Sequence, residues 1–163
     1  VADTYTHMSI QSFFESLAAS TPTPGGGSVA ALSGALAASL ILMVCNLTID
    51  KKKATHHELS KIKEETTRLR SELLAAVDKD IAAYEAVVAC YQLPRKTESD
   101  KAKRTEALQA ALVQAVEIPY DIASACSRLL ELCQPLTKIG SPNAISDIAV
   151  AAYLADAAVQ SAL

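Results

Sequence analysis

From Val29 to Ile49 the chain runs for 21 residues without a charged side chain, and Lys51, Lys52 and Lys53 follow after Asp50. A segment of that length has two possible homes. It can cross a bilayer, which takes about 20 apolar residues and favours a basic flank. It can also be the central helix of a bundle, covered on every side. Ser28, Ser33, Ser39, Asn46 and Thr48, together with the many alanines, favour the second. Small side chains let helix backbones approach closely in a soluble bundle as they do in lipid. The expectation is therefore a buried central helix over about residues 26–49, with a membrane span as the alternative.

The rest of the chain reads as helices around that core. Half of its 163 residues are hydrophobic, yet only 4% are aromatic and there is no Trp. Such a composition argues against disorder, and the scarcity of β-branched runs argues against an all-β fold. A net charge of −3 disfavours a nucleic-acid-binding domain held by a basic face. The segment from Ser9 to Ser20 reads as a short amphipathic helix with Ile10, Phe13, Phe14 and Leu17 on one face. Over about residues 55–92, Leu59, Ile62, Thr66, Leu69, Leu73, Ala76, Asp80, Tyr84, Val87 and Tyr91 recur at helical spacing, a continuous inward stripe. A charged linker, Arg95 to Arg104, is expected next. A helix from Thr105 to Glu117 carries Leu108, Ala111, Leu112 and Ala115 inward, and Pro119 either kinks it or begins a new helix over Tyr120 to Gln134. The last helix, Ala144 to Leu163, is apolar nearly all round, which suggests a missing continuation or burial in a partner. The reading is all-α, one domain over residues 1–163, a bundle of about six helices.

Cys45, Cys90, Cys126 and Cys133 form no Cys-x-x-Cys pair and do not interleave with His7, His56 and His57 at zinc spacing. Free thiols in a reducing compartment, with no metal, are expected. Val1 to Glu15 shows neither the basic nor the apolar region of a signal peptide. A cytoplasmic location is the corresponding expectation.

Four features could carry chemistry. Asp80 falls on the inward stripe among Leu73, Ala76 and Tyr84, whereas Asp78 and Lys79 fall off it. A carboxylate losing hydration there would be suited to acid–base work, or would be a structural Asp paired with a cation or capping a helix. Pro24-Gly25-Gly26-Gly27-Ser28 opens the central helix. Glycines at a helix start allow either a close ligand or a tight turn, and free amides there favour anions. The loop lacks the lysine of a P-loop and the preceding strand of a dinucleotide site. Asn143 is placed to cap the final helix, and Asp147 in its first turn is a dipole partner or a site residue. Lys51, Lys52, Lys53, Arg95, Lys96, Lys101, Lys103 and Arg104 form a solvated basic surface or a clamp for a polyanionic tail.

Thr23-Pro24-Gly25-Gly26-Gly27-Ser28-Val29-Ala30-Ala31-Leu32-Ser33-Gly34-Ala35-Leu36 resembles the signature of the formiminotransferase-cyclodeaminase C-terminal family. Asn46 to Ile49, Val77 to Tyr84, Leu93-Pro94-Arg95, Gln109, Pro119 and Gly140 through Asp147 follow that family's pattern in order. The resemblance implies an all-helical homodimer whose ligand is a reduced folate, polyglutamylated or not, with no prosthetic group. It places the acid–base residue at Asp80 and substrate contacts at Gly25, Gly26, Gly27, Ser28, Lys51, Lys52, Arg95 and Asp147. Asp50 and Ser141 depart from residues usual in the family. Ser141 and the Leu93-Pro94-Arg95 segment look more like stand-alone methenyltetrahydrofolate cyclohydrolases than cyclodeaminase domains. The family continues beyond a helix like the last one, so a C-terminal helix is expected to be missing from this chain.

Overall fold

The computed structural model describes residues 4–49 and 56–162. Its elements are a 3-10 turn at Tyr5–His7, then α1 (Ile10–Leu17), α2 (Gly26–Ile49), α3 (His56–Tyr91), α4 (Glu98–Ile139), a second 3-10 turn at Pro142–Ala144, and α5 (Ile145–Ala162). No strand occurs among the described residues. The architecture is an all-α bundle, with five α-helices among the described residues where about six were expected.

α2 is the helix around which the others pack. Ala30, Ala31, Ala35, Ala37, Ala38, Ile41, Val44 and Cys45 are each 3% exposed or less. Alanine permits this because α3, α4 and α5 all lie against α2, and larger side chains at those positions would hold them apart. α2 is also the one described helix long and apolar enough to cross a membrane. Its burial here comes from the other helices. Ser33 Oγ donates to the Leu154 carbonyl across to α5 at 3.0 Å, and the Ser141 amide donates to Thr48 Oγ1 at 2.9 Å. These two bonds set α5 antiparallel to α2.

Two glycine positions fix how near α3 and α4 come. A Cβ placed on Gly34 would meet Cys126 Sγ at 2.5 Å and the methyls of Leu73 at 3.1 and 3.2 Å. Gly34, Leu73 and Cys126 thus mark one level of the bundle, where three helices meet without room for a methyl group. Gly34→Ala is expected to lower stability by about 1–3 kcal/mol through overpacking. It should appear as a lower denaturation midpoint at constant slope; an unchanged midpoint would show that Leu73 and Cys126 repack freely.

α4 corrects the sequence reading in two places. The segment read as a charged linker is helical from Glu98. The Thr97 side chain accepts from the Asp100 amide, and Asp100 accepts from the Thr97 amide, a complete capping box. The helix also runs through Pro119 and Pro135 to Ile139. A helix-interior proline costs about 3 kcal/mol, here offset by the buried row Ile122, Cys126, Leu129, Cys133 and Leu136. At the far end of α3, Arg104 takes the place of a cap. Its Nε donates to the Cys90 carbonyl at 3.3 Å and its guanidinium lies 5.8 Å from the centre of the Tyr91 ring.

The stripe on α3 is buried from Leu59 through Ala76 but not beyond. Tyr84 and Tyr91 are exposed, because the N-terminus of α2 lies beside Asp80 and the last turns of α3 have no α2 to pack against. Asn143 falls inside the second 3-10 turn and does not form the boundary of α5. Of the four cysteines, all free and buried, Cys45, Cys126 and Cys133 have their thiols pushed up to about 11 by loss of hydration. They stay protonated at neutral pH and pack as small apolar groups.

Candidate active site

The site is built where α2 begins. α2 starts at Gly26, and its first helical bond runs from the Val29 amide to the Gly25 carbonyl. The amides of Gly26, Gly27 and Ser28 therefore have no acceptor within the helix, and the positive end of the helix dipole lies there. Asp80 on α3 faces this end. A Cβ on Gly27 would come within 2.6 Å of Asp80 Cγ and 2.8 Å of Oδ2, and closer still to Oδ1. Only a residue without a side chain allows the carboxylate so near the backbone. Ser28, fully buried, donates its hydroxyl hydrogen to Asp80 Oδ2 at 2.8 Å.

Gly27 and Gly34 are two helical turns apart on α2, as are Asp80 and Leu73 on α3. The same step that packs Gly34 on Leu73 places Gly27 on Asp80. The inward stripe thus delivers a carboxylate to a helix N-terminus at the edge of the core. Asp80 is half-buried, its partner is a hydroxyl, and its second oxygen carries no other recorded bond among the described residues. Of the structural alternatives, pairing with Lys or Arg does not occur among the described residues, while the place of Asp80 at the first turn of α2 is also that of a carboxylate capping a neighbouring helix. A carboxylate oriented by one hydrogen bond at a helix N-terminus is placed to accept a proton from a reacting group.

Two cavities flank this part of α3. One, about 530 Å³, runs between α3 and α4 from Arg68 and Arg128 to Lys79 and Ile118. Its Ala76 and Lys79 belong to the turn that precedes Asp80. Arg68 is paired with Glu72, and Arg128 with Glu65 and Glu131. The Arg128 guanidinium beside Glu65 holds that carboxyl below the usual range. The other cavity, about 320 Å³, is apolar and lies between α1, α2 and α3. Its wall includes the 3-10 turn, anchored by Asp78, which accepts from the Tyr5 amide at 2.9 Å and from Thr6 Oγ1 at 3.2 Å.

Among the residues singled out by sequence, the structure brings Asp80, Gly27 and Ser28 together, with Gly25 and Gly26 alongside. Arg95 is exposed in the turn between α3 and α4, beyond the last eleven residues of α3. Asp147 is half-buried in the first turn of α5, beside the C-terminal half of α2. Neither lies with Asp80 in a single chain. Lys51, Lys52 and Lys53 lie outside the described residues. Sequence reasoning missed Asp78, whose two bonds reach more than seventy residues back along the chain and leave no local signal. No group of three or more His, Cys, Asp or Glu among the described residues could hold a metal ion.

Known proteins of similar sequence and fold share a chemistry by name. The chain is 41% identical over 155 residues to a methenyltetrahydrofolate cyclohydrolase of Methylorubrum extorquens, covering 94% of this chain and 74% of that protein. It is 34% identical over 146 residues to the formimidoyltransferase-cyclodeaminase of Rattus norvegicus, covering 88% of this chain and 27% of that longer protein. The crystal structure of formiminotetrahydrofolate cyclodeaminase from Thermotoga maritima superposes with a TM-score of 0.83 at 32% identity, over 95% of this chain and 74% of that one. With residues 9–163 matching the family profile as well, the chain belongs to the formiminotransferase-cyclodeaminase family.

Proposed function

We propose that this protein is a methenyltetrahydrofolate cyclohydrolase. The observation that carries the reading is Asp80, held at the N-terminus of α2 by Ser28 and Gly27. The 41% identity to a cyclohydrolase over nearly the whole chain supports the choice of reaction. In this reaction water adds to the carbon bridging N5 and N10 of the methenyl substrate. As the water oxygen bonds to that carbon, its proton passes to Asp80. The tetrahedral intermediate then breaks its bond to N5, which takes that proton back from Asp80, while the hydroxyl on the carbon gives up its own proton to solvent water to become the formyl carbonyl, and 10-formyltetrahydrofolate leaves. One carboxylate moves one proton each way, the second proton of the added water is released to solvent, and no prosthetic group is needed.

The second reading, a cyclodeaminase, uses the same carbon and the same acid. N10 attacks the formimino carbon of 5-formiminotetrahydrofolate, and ammonia departs. The rat relative and the Thermotoga structure favour it. In either reading the free amides of the glycine loop meet a polar or anionic part of the folate. The cleft between α3 and α4 has the size of a small-molecule site, commonly about 300–1,000 Å³, but its walls include neither Asp80 nor the glycine loop. Lys51 and Lys52 are further proposed substrate contacts, and Arg95 and Asp147, which lie apart from Asp80 within one chain, would join them only from the second subunit of a dimer.

A homodimer is the proposed assembly. Its support is the exposed apolar surface on the part of the α3–α4 hairpin that extends past α2, where Tyr84, Val88, Tyr91, Val113, Val116 and Tyr120 are 38–70% exposed. Patches of this kind mark interaction surfaces. The proposed location is cytoplasmic. The two enzymatic readings separate when purified protein is offered each substrate in turn. Loss of the methenyl chromophore with negligible ammonia release from the formimino compound is expected; the reverse ranking would replace the first reading with the second.

A further inference from the structure

The geometry points to Ser28 as the residue that positions Asp80 for proton transfer, and not as a contact to the substrate. This rests on the reading of Asp80 as the acid–base group.

Ser28 is 0% exposed, although Gly26 and Val29 on the same turn are exposed. Its side chain is closed to solvent, and its hydroxyl faces α3. Its hydroxyl is spent on a single bond. A carboxylate can only accept, so Ser28 is the donor and Asp80 Oδ2 the acceptor, 2.8 Å apart. Of the other hydroxyls on α2, Ser33 also reaches across to a neighbouring helix, at the Leu154 carbonyl, whereas two bond within α2. Ser39 and Thr48 donate to carbonyls of their own helix four residues back, Ala35 and Val44, each at 2.7 Å. Such back-bonding is the local habit of Ser and Thr in helices. Ser28 sits in the first turn and sends its hydrogen across to α3 instead.

The consequence is an orientation. An aspartate side chain has two torsions, and a half-buried one is free to rotate unless both are restrained. Contact with the Gly27 backbone on one side and the Ser28 bond on Oδ2 restrain them together. Oδ1, the carboxylate oxygen nearest Gly27, carries no hydrogen bond among the described residues and is the one left to receive and return the proton. A base held within a few tenths of an ångström of its working position transfers protons far better than one that samples several rotamers.

Because the residue acts through another, its effect must vanish when that other is gone. Ser28→Ala is expected to lower kcat roughly tenfold and to leave KM within about twofold, as expected when a transition-state contribution is lost without loss of binding. In an Asp80→Asn background the same change should produce no further fall in kcat. Ser28→Cys, which keeps the size and a weak donor, should fall between the parent and Ser28→Ala. Thermal melting of each variant separates loss of activity from loss of fold. Equal falls in kcat in both backgrounds would overturn the proposal, since a structural role would act in both. A rise in KM at constant kcat would overturn it in favour of a substrate contact. Parental kcat in Ser28→Ala, with Asp80→Asn inactive, would overturn it while sparing the role of Asp80. Parental kcat in Asp80→Asn would overturn the acid–base reading itself, and this one with it.

Discussion

Asp80→Asn is expected to reduce turnover at least about a hundredfold, the scale on which an acid–base group contributes. Its helical content and melting temperature should stay near those of the parent. The two expectations separate because of what surrounds the side chain. Asparagine has the same shape, and its carbonyl oxygen can still accept the Ser28 hydrogen now given to Oδ2. The packing of α2 on α3 is then preserved, while the proton acceptor is lost. Substrate affinity should change little, because the proton moves only in the transition state. A variant that folds as the parent and turns over at near-parental rate would remove Asp80 from the mechanism.

Gly27→Ala is expected to separate stability from activity in the opposite way. Alanine is the better helix former, by about 1 kcal/mol in a helix interior and less in a first turn. Its methyl group, however, would occupy the space of the Asp80 carboxylate, at 2.6 Å from Cγ. Something must move, and Asp80, half-buried at the edge of the core, is freer to turn than the helix backbone. The carboxylate should swing off Ser28, with turnover falling roughly tenfold to a hundredfold while the melting temperature holds or rises, the trade expected where a site is built against local preference. Parental turnover in this variant would show that Asp80 works without its close approach to the α2 backbone.

Much of this arrangement was legible in the sequence because it follows from periodicity. The stripe on α3 marked Asp80 as an inward carboxylate, and the charge-free run marked α2 as the central helix. The bounds of α2 and α3 agree with the spacing to within a residue or so. What periodicity could not show is which residues from different helices meet. Ser28 and Asp80 are 52 positions apart, and the glycine loop alone left a tight turn and a ligand site equally open. The stripe also overreached. It continues to Tyr84 and Tyr91 in sequence, but burial depends on a neighbouring helix being present, and α2 begins at the level of Asp80.

The errors in α4 have a different origin. Proline and a run of charges are local stop signals, and both were overridden. The capping box at Thr97 and Asp100 starts the helix inside the charged segment, and packing by Ile122 and Cys126 carries it across Pro119. The resemblance placed Asp147 and Arg95 in the site, yet in a single chain they lie elsewhere.

The account stands most directly on one rate, the loss of the methenyl chromophore when 5,10-methenyltetrahydrofolate is mixed with the purified protein. The account predicts loss proportional to protein concentration, well above the uncatalysed rate, with 10-formyltetrahydrofolate as the product. Chromophore loss no faster than in buffer, from protein that is folded and binds the substrate, would contradict it.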